Sequence, residues 1–278
     1  MDLEQLLERA HSLGEEGNWE LMADLLREHL SDFQDEPAVH CWLGVAEREL
    51  GLEGVAYERF KRAITLEPED PYVLATAGNG IAAFDDEDAE RVLRTAALTA
   101  PDLPLTRLMY GSYLSREGFH QQAEVELDAA RALEPEDAQI AYELGVARAL
   151  LGDTDGATDA MADSVHLDPE DGWVRVVFGL LLIEAGRTDE MAGELISGAR
   201  IRETDVDAQL GAALAAASTG RDEVAYEMLE RARLNASEAD LVLVTDVEDR
   251  LDSAAASLQM LSEDLGPDLL RTRLQERL

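Results

Sequence analysis

The segment Leu66-Glu67-Pro68-Glu69-Asp70 returns almost unchanged as Leu133-Glu134-Pro135-Glu136-Asp137 and Leu167-Asp168-Pro169-Glu170-Asp171, and Pro101-Asp102 fills the interval between the first two. The prolines stand 33, 34 and 34 residues apart. A fixed period of this length is the mark of stacked repeats, each too small to bury its apolar face alone. Each segment has the chemistry of a helix junction, because Pro cannot continue the preceding helix and the Asp behind it can cap the next one. Asp70-Pro71 shows the arrangement best, a capping residue followed by proline at the first helical position.

A second mark falls midway. Gly51, Gly118, Gly152, Gly186 and Gly220 each end one helical run and open a short turn. Each unit therefore reads helix, turn, helix, turn. A third series, Gly44, Gly111, Gly145 and Gly179, lies inside the first helix of its unit, where Gly costs about 1 kcal/mol relative to Ala. Packing must offset that cost. Ala56, Ala123, Ala157 and Ala225 follow the turn glycines by five residues. The expectation is that these small residues face the helical glycines and let the two backbones approach.

The pattern resembles the tetratricopeptide repeat, with Leu-Gly in the first helix, Gly at the turn, Ala and a large apolar residue in the second helix, and Pro at the end. Residues 38–71 match it best through Leu43, Gly44, Gly51, Ala56, Phe60, Ala63 and Pro68. Residues 105–138 and 139–172 match nearly as well, and 173–206 keeps Gly179 and Gly186 but has Met191 and Glu203 where Ala and Pro are expected. Residues 72–104 are one short around Phe84-Asp85-Asp86, 207–240 carries Ala213 in place of the helical Gly, and 1–37 retains Gly17 and Trp19 at the turn. The resemblance implies an all-α, right-handed superhelical solenoid of antiparallel helix pairs, about seven to eight repeats. Residues 1–240 form the repeats and 241–278 a degenerate final pair, closing at Pro267, with a C-terminal capping helix. In that last helix Leu270, Leu274 and Leu278 form an apolar stripe, and Arg271, Arg273 and Arg277 outnumber Asp268 and Glu276. Two readings stay open: a cap on an acidic end, or a tethered segment that folds into a groove or engages a second copy.

Composition excludes some function classes. With 60 acidic against 23 basic residues the formal net charge is -37, which opposes nucleic acid and anionic membranes as partners. Aromatics make up only 5% of the chain, so the interior must be built mainly from Ala, Leu and Val. Lys61 is the only lysine, a skew that suggests either a GC-rich source or salt adaptation. Cys41 is the only cysteine, and His11, His29, His40, His120 and His166 show no metal-ligand spacing. No nucleophile elbow or phosphate-binding loop is present, and Gly78-Asn79-Gly80 falls in a helical register. No cofactor or metal is expected. The start, MDLEQLLERA, lacks a basic segment followed by an apolar one, and a cytoplasmic location is expected.

In the repeats this chain resembles, the first helix lines a concave surface through its second, fifth, ninth and twelfth positions. Carried over, these are Cys41, Val45, Tyr72, Asn79, Leu108, Ser112, Tyr142, Val146, Trp173, Val176, Leu180 and Leu210. Repeats that clamp the acidic tails of heat-shock chaperones carry Lys and Arg with Asn on these helices, and here only Asn79 resembles that set. The expected function is a non-catalytic adaptor holding a protein or peptide, apolar or amphipathic or somewhat basic, in the groove. A solenoid that senses a peptide or small ligand, and an accessory subunit of an enzyme complex, are the alternatives.

Overall fold

The computed structural model describes the backbone of residues 1–276 and the side chains of residues 1–274. Regular structure among them is entirely helical. It runs α1 (Leu3–Glu15), α2 (Trp19–His29), α3 (Pro37–Glu49), α4 (Glu53–Thr65), α5 (Pro71–Ala82), α6 (Ala89–Thr99), α7 (Pro104–Arg116), α8 (His120–Leu133) and α9 (Ala138–Leu151). It continues with α10 (Thr154–Leu167), α11 (Gly172–Glu184), α12 (Thr188–Ile201), α13 (Val206–Ser218), α14 (Asp222–Asn235), α15 (Leu241–Glu248) and α16 (Ala254–Gln259). A π-helical segment, Met260–Leu265, leads into α17 (Gly266–Glu276). The helices gather into two compact units, residues 1–114 and 115–278, divided inside α7.

The junctions behave as their residues require. Asp70, Asp137 and Asp171 accept hydrogen bonds from the backbone N–H groups of Tyr72, Ile140 and Trp173, each at 2.9 Å. These bonds satisfy N–H groups that a helix start leaves unpaired. Gly152 ends α9 in the left-handed region at φ 80°, where a side chain would be strained. At the shortened turn of residues 72–104, Asp85 occupies the same region at φ 52°, a conformation that Asp tolerates better than most residues.

In the first unit α1 pairs with α2, α3 with α4 and α5 with α6, while α2 packs on α3 and α4 on α5. Phe60 is fully buried, and its ring lies between the backbones of α3 and α5. A Cβ on Gly44 would stand 2.9 Å from Phe60 Cε1, and one on Gly80 would overlap the ring. This corrects the expected pairing of small with small. Gly145 likewise faces Met161 and Gly179 faces Leu195, so these three helical glycines, Gly44, Gly145 and Gly179, make room for the large apolar residue of the second helix. The alanines are buried nearby, Ala56 at 1% and Ala157 at 0% exposure, but they are not the groups that occupy the glycine gaps.

Charged groups tie these elements together. The buried carboxylate of Glu47 on α3 accepts from Arg27 of α2 at 2.9 Å and from Arg59 of α4 at 3.3 Å. Lys61 Nζ donates to Asp86 and Asp88 at 3.0 and 3.1 Å, and Tyr57 Oη donates to Asp86 at 2.6 Å. The only lysine thus anchors α4 to the turn before α6.

In the second unit α9 pairs with α10, α11 with α12 and α13 with α14, with α8 on α9, α10 on α11 and α12 on α13. Beyond α14 the pattern changes. The short α15 rests on α13 and α14, α16 packs on α13, and α17 packs on α11. Pro267, where the last pair was expected to close and the last helix to begin, stands in the first turn of α17. Lacking an N–H, it would break an ordinary helix. The preceding residues widen into a π-turn, with Gly266 N–H donating to Leu261 O, and the run continues. Gly266 is needed there because a Cβ would run into that carbonyl and approach Ile183 Cδ1 to 3.1 Å. Of the expected leucine stripe, Leu270 and Leu274 are buried, whereas Leu278 and Arg277 lie outside the described residues.

Candidate partner-binding surfaces

The twelve residues expected along the first helices separate by burial. Cys41, Leu108, Tyr142, Val146, Val176, Leu180 and Leu210 are at most 3% exposed. Side chains without exposed surface are engaged in packing within the chain itself. Cys41 Sγ points at Val73 O, 3.8 Å away on α5. Burial, reinforced by the charge of Asp70, pushes its thiol far above the ordinary range. Leu210, Tyr142, Val146, Val176 and Leu180 belong to the core of the second unit. Val45, Asn79, Ser112 and Trp173 keep partial exposure, and Tyr72 is 39% exposed.

One residue beyond Cys41, Trp42 remains half-exposed and joins Tyr72 in a row of aromatic rings. His11 of α1 meets Trp42 of α3 at 4.5 Å between centroids, nearly edge-on, and Trp42 meets Tyr72 of α5 at 5.9 Å. These three helices are the first members of successive pairs, and α3 touches both α1 and α5. His11 and Trp42 were not among the expected contact residues. A turn of about 100° along the helix separates Cys41 from Trp42, and a one-residue offset exchanges a buried face for an open one. The chain's scarcity of aromatics was the available signal. Edge-on and offset rings contribute about 0.5–1.5 kcal/mol beyond area, so the row holds its own geometry while presenting apolar surface.

The second unit presents a different site. Trp173 Nε1 donates to Tyr142 Oη at 3.1 Å, linking two of the expected aromatic residues. The Trp173 ring faces two guanidinium groups, Arg202 at 5.1 Å and Arg273 of α17 at 4.6 Å. Both arginines donate to Asp205 at 2.7 Å. Asp205 also caps α13 through Ala208 N–H at 3.1 Å. Burial alone would raise its pKa, but the bonds from Arg273, Arg202 and Ala208 N–H outweigh burial and hold the carboxyl below its ordinary value. Leu269, Leu270 and Leu274 of α17 are buried in the same core as Val176, Leu180 and Leu210. The last helix therefore lies against the first helices of two pairs, α11 and α13. An open cleft of about 500 Å³ adjoins the site, lined by Trp173, Ile201, Arg202 and Asp205 among others.

Among the described residues no group of three or more His, Cys, Asp or Glu is placed to hold a metal ion, and no helix is long and apolar enough to cross a membrane. His40 is buried, with Nε2 donating to Gln34 O at 2.8 Å. Burial lowers its pKa, an ordinary structural role.

No protein-family model matches the chain, and no curated protein matches it either. Solved structures do. A chain of the APC/C hetero-tetramer Cut9–Hcn1 superposes with a TM-score of 0.73 at 17% identity over 91% of this chain and 50% of the other. This chain thus spans about half the length of that structure. The C-terminal part of a TPR repeat-containing protein from Cytophaga hutchinsonii has a TM-score of 0.53 at 13% identity, covering 87% of this chain and 98% of its own. PilF of Pseudomonas aeruginosa has a TM-score of 0.53 at 15% identity, covering 87% and 96%. Repeat period, capped junctions, glycine-for-bulk packing and these neighbours agree that the fold of this chain is that of the tetratricopeptide repeat.

Proposed function

We propose that the chain is a non-catalytic protein–protein interaction scaffold, and that the row His11, Trp42 and Tyr72 is its open contact surface. The observation that carries this reading is the row itself: partly exposed aromatic rings on three successive first helices, in a chain with only 5% aromatics. Tyr and Trp supply large contact area at low entropic cost and dominate binding surfaces. With a net charge of -37, the partner segment is an extended or helical peptide carrying apolar anchors and some positive charge. The similar chain from the Cut9–Hcn1 hetero-tetramer belongs to a multi-protein assembly, in keeping with a scaffold. The reading assigns the chain no reaction and no cofactor.

The test selects binders from a displayed random-peptide library on the full chain, then measures them against Trp42→Ala and Tyr72→Ala. Selected peptides should be enriched in aromatic, aliphatic and basic residues, and should lose at least tenfold in affinity on either variant with helicity unchanged. Peptides that bind both variants as tightly as the parent would remove the row from the proposal.

A further inference from the structure

A helix that only sealed the end of the stack would rest on the final pair. The α16–π–α17 run does more, passing from α13 onto α11, the first helix of the preceding pair. It brings three buried leucines, Leu269, Leu270 and Leu274, and one arginine, Arg273, which is 6% exposed. Arg273 fills a seat made by a carboxylate and an aromatic face, Asp205 at 2.7 Å and Trp173 at 4.6 Å. The seat selects by chemistry as well as shape: an amphipathic helix with an arginine set within its apolar face.

Two features make the occupant exchangeable. Arg202 duplicates Arg273, meeting both Asp205 and Trp173. When Arg273 withdraws, the carboxylate keeps a cationic partner, and the opening does not strand a buried charge. The joint behind α17 is the π-turn Met260–Leu265, a break in the regular hydrogen-bond ladder where a helix bends most readily. Charge also distinguishes this segment, since residues 266–278 hold three arginines against Asp268 and Glu276 in a chain of net charge -37.

We propose that the face of α11 and α13 is a docking groove for an arginine-bearing amphipathic helix of another protein, and that α17 holds the groove in cis until such a helix displaces it. The proposal goes beyond the aromatic row of the first unit and does not depend on it. The probe is a labelled peptide of the sequence 264–276, titrated into the full chain and into full-length Arg273→Glu, in which a carboxylate faces Asp205 and loosens the cis helix. The peptide should bind the variant at least tenfold tighter than the parent, and a peptide carrying the same Arg-to-Glu change should not bind. In the unmodified chain, amides of Leu269–Leu274 should exchange hydrogen at least tenfold faster than those of α11 and α13. Equal exchange, no uptake by a variant of normal helicity, or loss of the fold in that variant would each make α17 an integral cap and overturn the proposal. A concentration-dependent dimer that exchanges α17 between copies would replace the foreign partner with a second copy of this chain.

Discussion

Arg273 and Asp205, 68 residues apart in sequence, meet at 2.7 Å with their side chains only 7% and 11% exposed. The contact joins α17 to the cap of α13 and carries Arg273 across the face of Trp173. Truncation to Ala removes a charge-assisted hydrogen bond, about 1.5–3 kcal/mol, and a cation–π contact of about 0.5–2 kcal/mol. Arg273→Ala should therefore loosen α17 by about 2–5 kcal/mol. Hydrogen exchange should register this as faster exchange confined to α17 and the π-turn, with α9 and α10 unchanged.

Phe60 sits between Gly44 and Gly80, and the added methyl of Gly80→Ala would overlap its ring. The ring is fully buried. Gly80→Ala should destabilise the first unit by about 1–3 kcal/mol. Phe60→Leu should recover part of that loss in the double variant, a non-additivity read by chemical denaturation. Gly145→Ala should cost less, because its neighbour Met161 Cε, at 2.9 Å, is the end of a flexible side chain.

Among the carboxylates held below their ordinary value, Asp86 and Asp205 are the ones shielded from solvent, and acid should act chiefly through them. Burial would raise the pKa of Asp86, but hydrogen bonds from Tyr57, the Asp88 backbone N–H and Lys61 overrule it, leaving the group below its ordinary value of 3.8. Asp205 is lowered likewise by Arg273 and Arg202 against its own burial. A depressed carboxyl contributes stability that is fully present above 3.8 and drains away as pH falls through the folded-state value. Thermal melts from pH 7 toward 2 should show that loss, with a smaller slope for Asp86→Asn and Asp205→Asn. Lys61 works in the opposite sense. Its pKa is raised above 10.5, chiefly by its bond to Asp86, so its contribution holds at neutral pH and fails only as strong alkali passes the raised value.

Asp85 adopts φ 52° at a turn whose equivalents elsewhere are glycines with φ between 69° and 81°. Left-handed backbone costs a residue with a Cβ about 1–2 kcal/mol, less for Asp, and glycine's greater freedom in the unfolded chain takes back part of the gain. Asp85→Gly should raise stability by up to about 1 kcal/mol, seen as a higher denaturation midpoint with an unchanged slope.

Much of this architecture is legible in the residue pattern. The prolines at 33- and 34-residue intervals, the aspartates behind them and the turn glycines mark most of the helix junctions between α3 and α14. The contact surface was less legible. Cys41 and Tyr142 occupy inward positions by analogy, yet both are buried. Trp42, one residue from Cys41, is half-exposed and joins His11 and Tyr72. The helical glycines were recognisable as packing devices, but their partners were the bulky Phe60, Met161 and Leu195 and not the neighbouring alanines.

The difference follows from the range over which each force acts. Capping, proline geometry and the left-handed preference of glycine are settled within a few residues of backbone, so helices and turns can be read from the residue pattern alone. Exposure depends on what lies across a packing interface, here Val73 opposite Cys41 and α17 beside α11. Pro267 marks a stop by local rules, yet the wider π-turn behind Gly266 let the helix continue. The place of the last helix across α11 and α13 depends on packing between distant segments, which buries Leu269, Leu270 and Leu274 and pairs Arg273 with Asp205.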